Sequence, residues 1–135
     1  MGAKQKILIV DDDVQLVDSV RTLLESVGYD VAFSYQAKKG IEMAGTWAPD
    51  LILLDVMFAG PPGPDGFEVA RTLHDDPKLK LIPIIMLSGV RKVMSLSYQL
   101  TPDESWMPVK AFLEKPITPD KLLTQLEKVL GPRPG

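Results

Sequence analysis

The sequence predicts an α/β fold: a doubly wound, five-stranded parallel sheet with helices on both faces. Three observations lead there. Apolar runs at 7–10 (ILIV), 51–54 (LILL) and 84–87 (IIML) lack polar alternation, as strands covered on both sides require. Segments with helical apolar spacing separate them. Polar residues capable of chemistry stand where the runs stop.

The first run is followed by Asp11, Asp12 and Asp13, then by a stripe of Leu16, Val17, Val20, Leu23, Leu24 and Val27, with Gly28 as the stop. Residues 30–34 (DVAFS) read as a second strand. Ala37, Ile41 and Ala44 share a helix face that Gly45 to Pro49 should end. The third strand runs into Asp55, and a Gly- and Pro-rich loop at 58–66 leads to a helix carrying Phe67, Ala70 and Leu73. Pro83 is tolerated at the entrance to the fourth strand. Val90, Val93, Met94 and Leu96 suggest a short helix, and Thr101-Pro102-Asp103-Glu104 has the form of a capping box. Residues 110–114 (KAFLE) make a shorter fifth strand. Thr118-Pro119-Asp120 opens a last helix whose buried face is Leu122, Leu123, Leu126, Val129 and Leu130. Strands alternating with helices imply right-handed crossovers, and five such units suit the flavodoxin-like order 2-1-3-4-5.

At 135 residues, 45% hydrophobic and 24% charged, the chain fits one domain with a proper core. A single domain over 1–135 is expected, with its core at about 5–130 and with 131–135 a tail or the start of a linker. The net charge of -3 gives no electrostatic reason for nucleic-acid or membrane binding. With no cysteine, disulfides, thiolate catalysis and Cys-based metal sites are excluded, and the single His74 cannot supply a His-rich site. The start, MGAKQK, lacks a signal peptide's apolar stretch, and no apolar run approaches the ~18 residues of a spanning helix. A cytoplasmic location is therefore expected.

In open sheets of this kind the site lies beyond the carboxyl ends of the strands, where the strand order reverses. Strand one ends in Asp11 and Asp12, strand three in Asp55, strand four in Ser88 and strand five in Lys115. Strands one and three flank the switch point, so their three carboxylates should converge and repel one another. Buried carboxylates need partners, and a divalent cation resolves the conflict. Mg²⁺ takes oxygen ligands and keeps several waters, so it suits one or two carboxylates plus a phosphate. Asp13 reads only as a cap or exposed acid in the first helical turn. Each of these residues alone is unremarkable; their joint occurrence at the ends of the right strands carries the weight.

The stretches ILIVDDD (7–13), PDLILLDVM (49–57), DGFEVAR (65–71), PIIMLSG (83–89) and FLEKPI (112–117) resemble the receiver domain of two-component response regulators. The likeness runs from about residue 5 to 130. The resemblance implies that Asp55 is the phosphoacceptor, that Asp12 binds Mg²⁺ directly and Asp11 mostly through water, and that the Met57 carbonyl completes the protein ligands; Mn²⁺ is the alternative ion. It implies that Ser88 hydrogen-bonds the phosphoryl group, that Lys115 pairs with it, and that Phe112 is the aromatic ring that turns inward on activation. A cis peptide between Lys115 and Pro116 is implied as well. The partners so implied are a sensor histidine kinase or phosphotransfer protein, and a downstream effector protein or covalently linked output domain, with no direct nucleic-acid or membrane binding. Such a domain is not an enzyme beyond its own phosphorylation and dephosphorylation.

The chemistry has its own footing. A carboxylate that attacks phosphorus forms an acyl phosphate. The charge on the equatorial oxygens can be neutralised by Mg²⁺ and by the Lys115 ammonium, a compact point charge on a long stem. Ser88, drawn toward a phosphoryl oxygen, would leave space for Phe112, a switch between two packings a few kcal/mol apart.

The chain also departs from the family's pattern. Between Asp55 and Asp65-Gly66 stands VMFAGPPGP, longer than usual; the 58–64 segment reads as a tolerated surface insertion, with control of access by water or partner as the sharper alternative. The interval from Ser88 to Lys115 is longer too, so 97–108 should follow a shortened helix as an extra turn, with Trp106 packed on the core. Apolar Met57 and Ala59 cannot orient an attacking water, which predicts slow self-dephosphorylation. Gly89 leaves room for small phosphodonors such as acetyl phosphate, and His74 is read as a surface residue. Three competing readings remain. One is a receiver-fold interaction module that works without phosphorylation. Another is a Mg²⁺-dependent phosphohydrolase, which wants a second Asp where Met57 stands. The last is a nucleotide-binding Rossmann domain, whose glycine turn is replaced here by three acids that repel a pyrophosphate.

Overall fold

Successive residues of the central strands point to opposite faces, and the sheet accordingly divides the hydrophobic core in two. The computed structural model describes residues 4–55, 66–89 and 110–132. Within them β1 (Lys6–Val10), β2 (Asp30–Ser34), β3 (Leu51–Asp55), β4 (Ile84–Gly89) and β5 (Ala111–Lys115) form one sheet in the order β2-β1-β3-β4-β5. Every pairing in it is parallel. The helices are α1 (Val14–Ser26), α2 (Ala37–Trp47), α3 (Gly66–Asp75) and a C-terminal helix (Pro119–Leu130). This is the flavodoxin-like arrangement that the sequence predicts.

On one face Leu8, Val10, Ile52, Leu54, Ile84 and Met86 pack with Ala44 of α2 and with Val69, Ala70 and Leu73 of α3. On the other, Ile7, Ile9, Leu51, Leu53, Ile85 and Leu87 pack with Val17, Val20 and Leu24 of α1 and with Leu122, Leu123 and Leu126 of the C-terminal helix. β1 and β3 are interior strands, hydrogen-bonded on both sides, which is why ILIV and LILL carry no polar alternation. After β1 the chain crosses one face as α1, and after β2 it crosses the other as α2. A crevice therefore opens above the ends of β1 and β3.

The local chemistry explains most of the boundaries. Asp13 is the N-cap of α1, its Oδ1 accepting from the Leu16 N–H at 3.2 Å. Gly28, at φ 102°, turns the chain from that helix toward β2, a conformation that glycine adopts without penalty. Pro119 occupies the first turn of the C-terminal helix, where its missing N–H costs nothing.

Two strand boundaries differ from the expectation, while the end of α2 falls within it. α2 runs through Gly45 and ends at Trp47, inside the 45–49 interval expected, with the reversal at Ala48 (φ 54°). A helical glycine costs only ~1 kcal/mol. Packing offsets it: Ala44 is buried, and Lys6 Nζ lies 5.3 Å from the centre of the Trp47 ring and 3.1 Å from the Trp47 carbonyl oxygen. β4 runs beyond Leu87 through Ser88 and Gly89, because these pair in register with Glu114 and Lys115. For the same reason β5 spans 111–115 rather than 110–114.

His74 is exposed in the last turn of α3, as expected. Among the described residues no helix is long and apolar enough to cross a membrane. Met57, Ala59, the 58–64 loop, the helix read through Val90 to Leu96, the capping box at Thr101 and the 97–108 segment with Trp106 lie outside the described residues.

Candidate functional site

Because β1 and β3 are hydrogen-bonded neighbours, with Val10 opposite Leu54, the residues that end them are brought side by side. Asp11 has no exposed surface, Asp55 is 3% exposed and Asp12 faces solvent. One carboxylate oxygen from each of Asp11, Asp12 and Asp55 can be chosen so that all three lie within 4.8 Å of one another. Lys115, at the end of β5, reaches across to this group. Its Nζ lies 3.1 Å from Asp11 Oδ2 and 3.3 Å from Asp55 Oδ1, to which it donates a hydrogen bond. The adjoining Lys115–Pro116 peptide is cis.

Asp11 is held from several directions. Its N–H donates to the Ser34 carbonyl at 3.1 Å, continuing the ladder to β2. Its Oδ1 accepts from the Asp13 N–H at 2.9 Å. Its Oδ2 is buried and meets the Lys115 ammonium at 3.1 Å. Burial pushes the Asp11 carboxyl above its ordinary 3.8, and the Asp12 charge adds to the rise. The Asp13 N–H and the Lys115 ammonium oppose that rise without cancelling it. Burial alone would push Lys115 down, yet the charges of Asp11 and Asp55 outweigh it and hold the ammonium above its ordinary 10.5. The ammonium thus stays charged.

Three carboxylates gathered around one ammonium, as an all-oxygen donor set, fit a hard divalent cation such as Mg²⁺. The Met57 carbonyl, expected as a further ligand, lies outside the described residues. Ser88 stands on β4 opposite Glu114, one residue beyond the Leu87 that pairs with Asp55. Phe112 is half-buried on β5, opposite Met86, and packs on the core face shared by α2 and α3. A cleft of about 550 Å³ opens beside Lys115, lined among others by Asp13, Leu16, Ser19, Pro116 and Ile117.

Two contributors carry no signal in the sequence. Asp13 is the expected cap, but its main-chain N–H also fixes Asp11. Ser34 acts on Asp11 through its backbone carbonyl, which any residue type possesses. Only the pairing of β1 with β2 could have pointed to it.

Residues 7–127 match the response regulator receiver domain, and the chain belongs to that family. Members of the family serve two-component signalling as phosphoacceptors and bind Mg²⁺ in an acidic pocket. Among characterised relatives, the DNA-binding dual master transcriptional regulator RpaA of Synechocystis is 40% identical over 88 residues, 65% of this chain and 35% of that protein. The alkaline phosphatase synthesis transcriptional regulatory protein PhoP of Bacillus subtilis is 33% identical over 128 residues, 93% of this chain and 48% of that protein. This chain thus spans less than half the length of either relative. Among solved structures, the chemotaxis response regulator CheY4 of Vibrio cholerae superposes with a TM-score of 0.80 at 26% identity, covering 95% of this chain and 100% of that one.

Proposed function

We propose that Asp55 accepts a phosphoryl group from a histidine kinase or phosphotransfer protein, and that the chain passes the signal to an effector protein or a linked output domain. The observation that carries this reading is the buried Asp55 carboxylate, with the Lys115 ammonium 3.3 Å away and Asp11 and Asp12 beside it. An Asp55 oxygen forms the new bond to phosphorus as the bond from phosphorus to the donor imidazole nitrogen breaks; the bond's electron pair stays on that nitrogen. Lys115 is placed to meet the negative charge on the transferred group. Ser88 hydrogen-bonds a phosphoryl oxygen, and Phe112 moves into the space that Ser88 vacates. Asp11, Asp12, Asp55 and the Met57 carbonyl would hold Mg²⁺, or Mn²⁺ in its place. When bound, the ion supplies neutralisation of the phosphoryl oxygens.

In this reading residues from about 5 to 130 form one receiver unit, and 131–135 are a tail or the start of a linker. The chain works in the cytoplasm and catalyses nothing beyond its own phosphorylation and dephosphorylation. Incubation with acetyl phosphate and MgCl₂, followed by intact-mass measurement, tests the assignment. One added phosphoryl group is expected, removable by hydroxylamine and absent in Asp55→Asn. No adduct on the wild type, or an adduct retained by Asp55→Asn, would overturn it.

A further inference from the structure

Gly40 lies on the second turn of α2, outside the acid cluster, and is buried against the end of β1. A Cβ at this position would lie 2.7 Å from Val10 Cγ2 and 2.8 Å from Val10 Cγ1, so α2 approaches β1 at a distance only glycine permits. Val10 is the residue immediately before Asp11, and its β-branched side chain has little rotamer freedom with which to give way. Contacts among five residues then close a ring. The Gly40 N–H donates to the Gln36 carbonyl at 2.9 Å. The same carbonyl accepts from Ser34 Oγ at 2.8 Å, and Ser34 Oγ accepts in turn from the Gln36 N–H at 3.1 Å. The Ser34 carbonyl accepts from the Asp11 N–H at 3.1 Å. Ser34 is one of three buried polar or charged residues among those described; the others are Asp11 and Asp55. Gln36 caps α2 with no side-chain hydrogen bond, so the Ser34 hydroxyl does the anchoring that a capping side chain would otherwise do.

We propose that Gly40 and Ser34 are positioning residues for the cation site: through Val10 on one side and the β2 ladder on the other, they set where the main chain of Asp11 sits. The inference rests on reading Asp11, Asp12 and Asp55 as a divalent-cation site. A site of this kind tolerates displacement of only ~0.5 Å before binding suffers. A methyl group added at Gly40 leaves too little room against Val10, so either Val10, with Asp11 behind it, or α2 must shift by an amount of that order. Loss of the Ser34 hydroxyl frees the first turn of α2 and slackens the same ring.

The test is a MgCl₂ titration of the whole chain followed by amide chemical shifts, with thermal unfolding measured alongside. Gly40→Ala should weaken Mg²⁺ binding about tenfold, the usual scale for residues that orient metal ligands. Adding Val10→Ala makes room for the new methyl and should return the affinity to that of Val10→Ala alone. Ser34→Ala should weaken binding in the same direction, and Ser34→Thr, which keeps the hydroxyl, should not. A folded Gly40→Ala protein that binds Mg²⁺ like the wild type while melting at lower temperature would make Gly40 a packing residue only, and the proposal would fall. Should Gly40→Ala not fold, Ser34→Ala decides: unchanged affinity overturns the proposal. A wild type that shows no Mg²⁺ response removes the cation site itself, a separate outcome that takes this inference with it.

Discussion

The Lys115 ammonium stands 3.1 Å from Asp11 Oδ2, yet the Asp11 carboxyl remains above its ordinary 3.8. An ion pair normally lowers the acid. Here burial of a carboxylate with no exposed surface outweighs the attraction, and Asp12 opposes it as well.

The first prediction follows from that sign. A group whose folded pKa is raised contributes stability that is fully present below its unfolded pKa and is lost as pH rises through the folded value. Asp11→Asn, which mimics the protonated acid, should thus make the metal-free protein more stable than the wild type at neutral pH. The gap should close as pH falls through the raised pKa toward 3.8. The same variant should lose its Mg²⁺ response. Urea unfolding in EDTA across this range checks both; a wild type more stable than the variant at neutral pH would contradict the sign.

Lys115→Met should do the reverse. Removing the cation leaves Asp11 and Asp55 facing each other without it. Breaking a fully buried pair costs ~3–5 kcal/mol, and with the lysine side chain 24% exposed the expected loss is about 2 kcal/mol. Since the folded Lys115 pKa is raised, its contribution is fully present below 10.5 and is lost only as pH climbs through the raised value. Mg²⁺ should recover much of the stability by binding the folded state alone. Unfolding curves with and without the ion measure this directly.

Asp13 separates a cap from a ligand. Asp13→Ala should cost about 1 kcal/mol through loss of the N-cap of α1. Mg²⁺ affinity should hold, because the main-chain N–H at this position still donates to Asp11 Oδ1. If affinity falls together with stability, Asp13 belongs to the cation site.

The lifetime of the aspartyl phosphate is the fourth test. The side chains of Met57 and Ala59 are apolar and cannot orient a water for attack on phosphorus. Self-dephosphorylation should be slow, and Met57→Asn should speed it. Decay within seconds in the wild type would count against this reading.

How much of this was legible beforehand varies with the kind of interaction. ILIV and LILL announce strands covered on both faces, and the order of Asp11, Asp55 and Lys115 along the chain suffices to place them at one end of the sheet. The exact end of α2 within the expected 45–49 interval was not legible, since it depends on Lys6 meeting Trp47 from a strand 41 residues away. The end of β5 was missed by one residue because a parallel ladder, not composition, decides where pairing stops. Ser34 and Gly40 were invisible as parts of the site: one acts through a carbonyl, the other through the absence of a side chain.

The carboxylates hang from β1 and β3, which have neighbours on both sides, whereas β2 and β5 form the margins of the sheet. Amides of interior strands exchange with solvent last, because releasing them requires opening the whole domain. The floor of the pocket therefore belongs to the slowest-breathing part of the molecule. Whatever remodels its outer surface must do so without unzipping the strands that carry the acids.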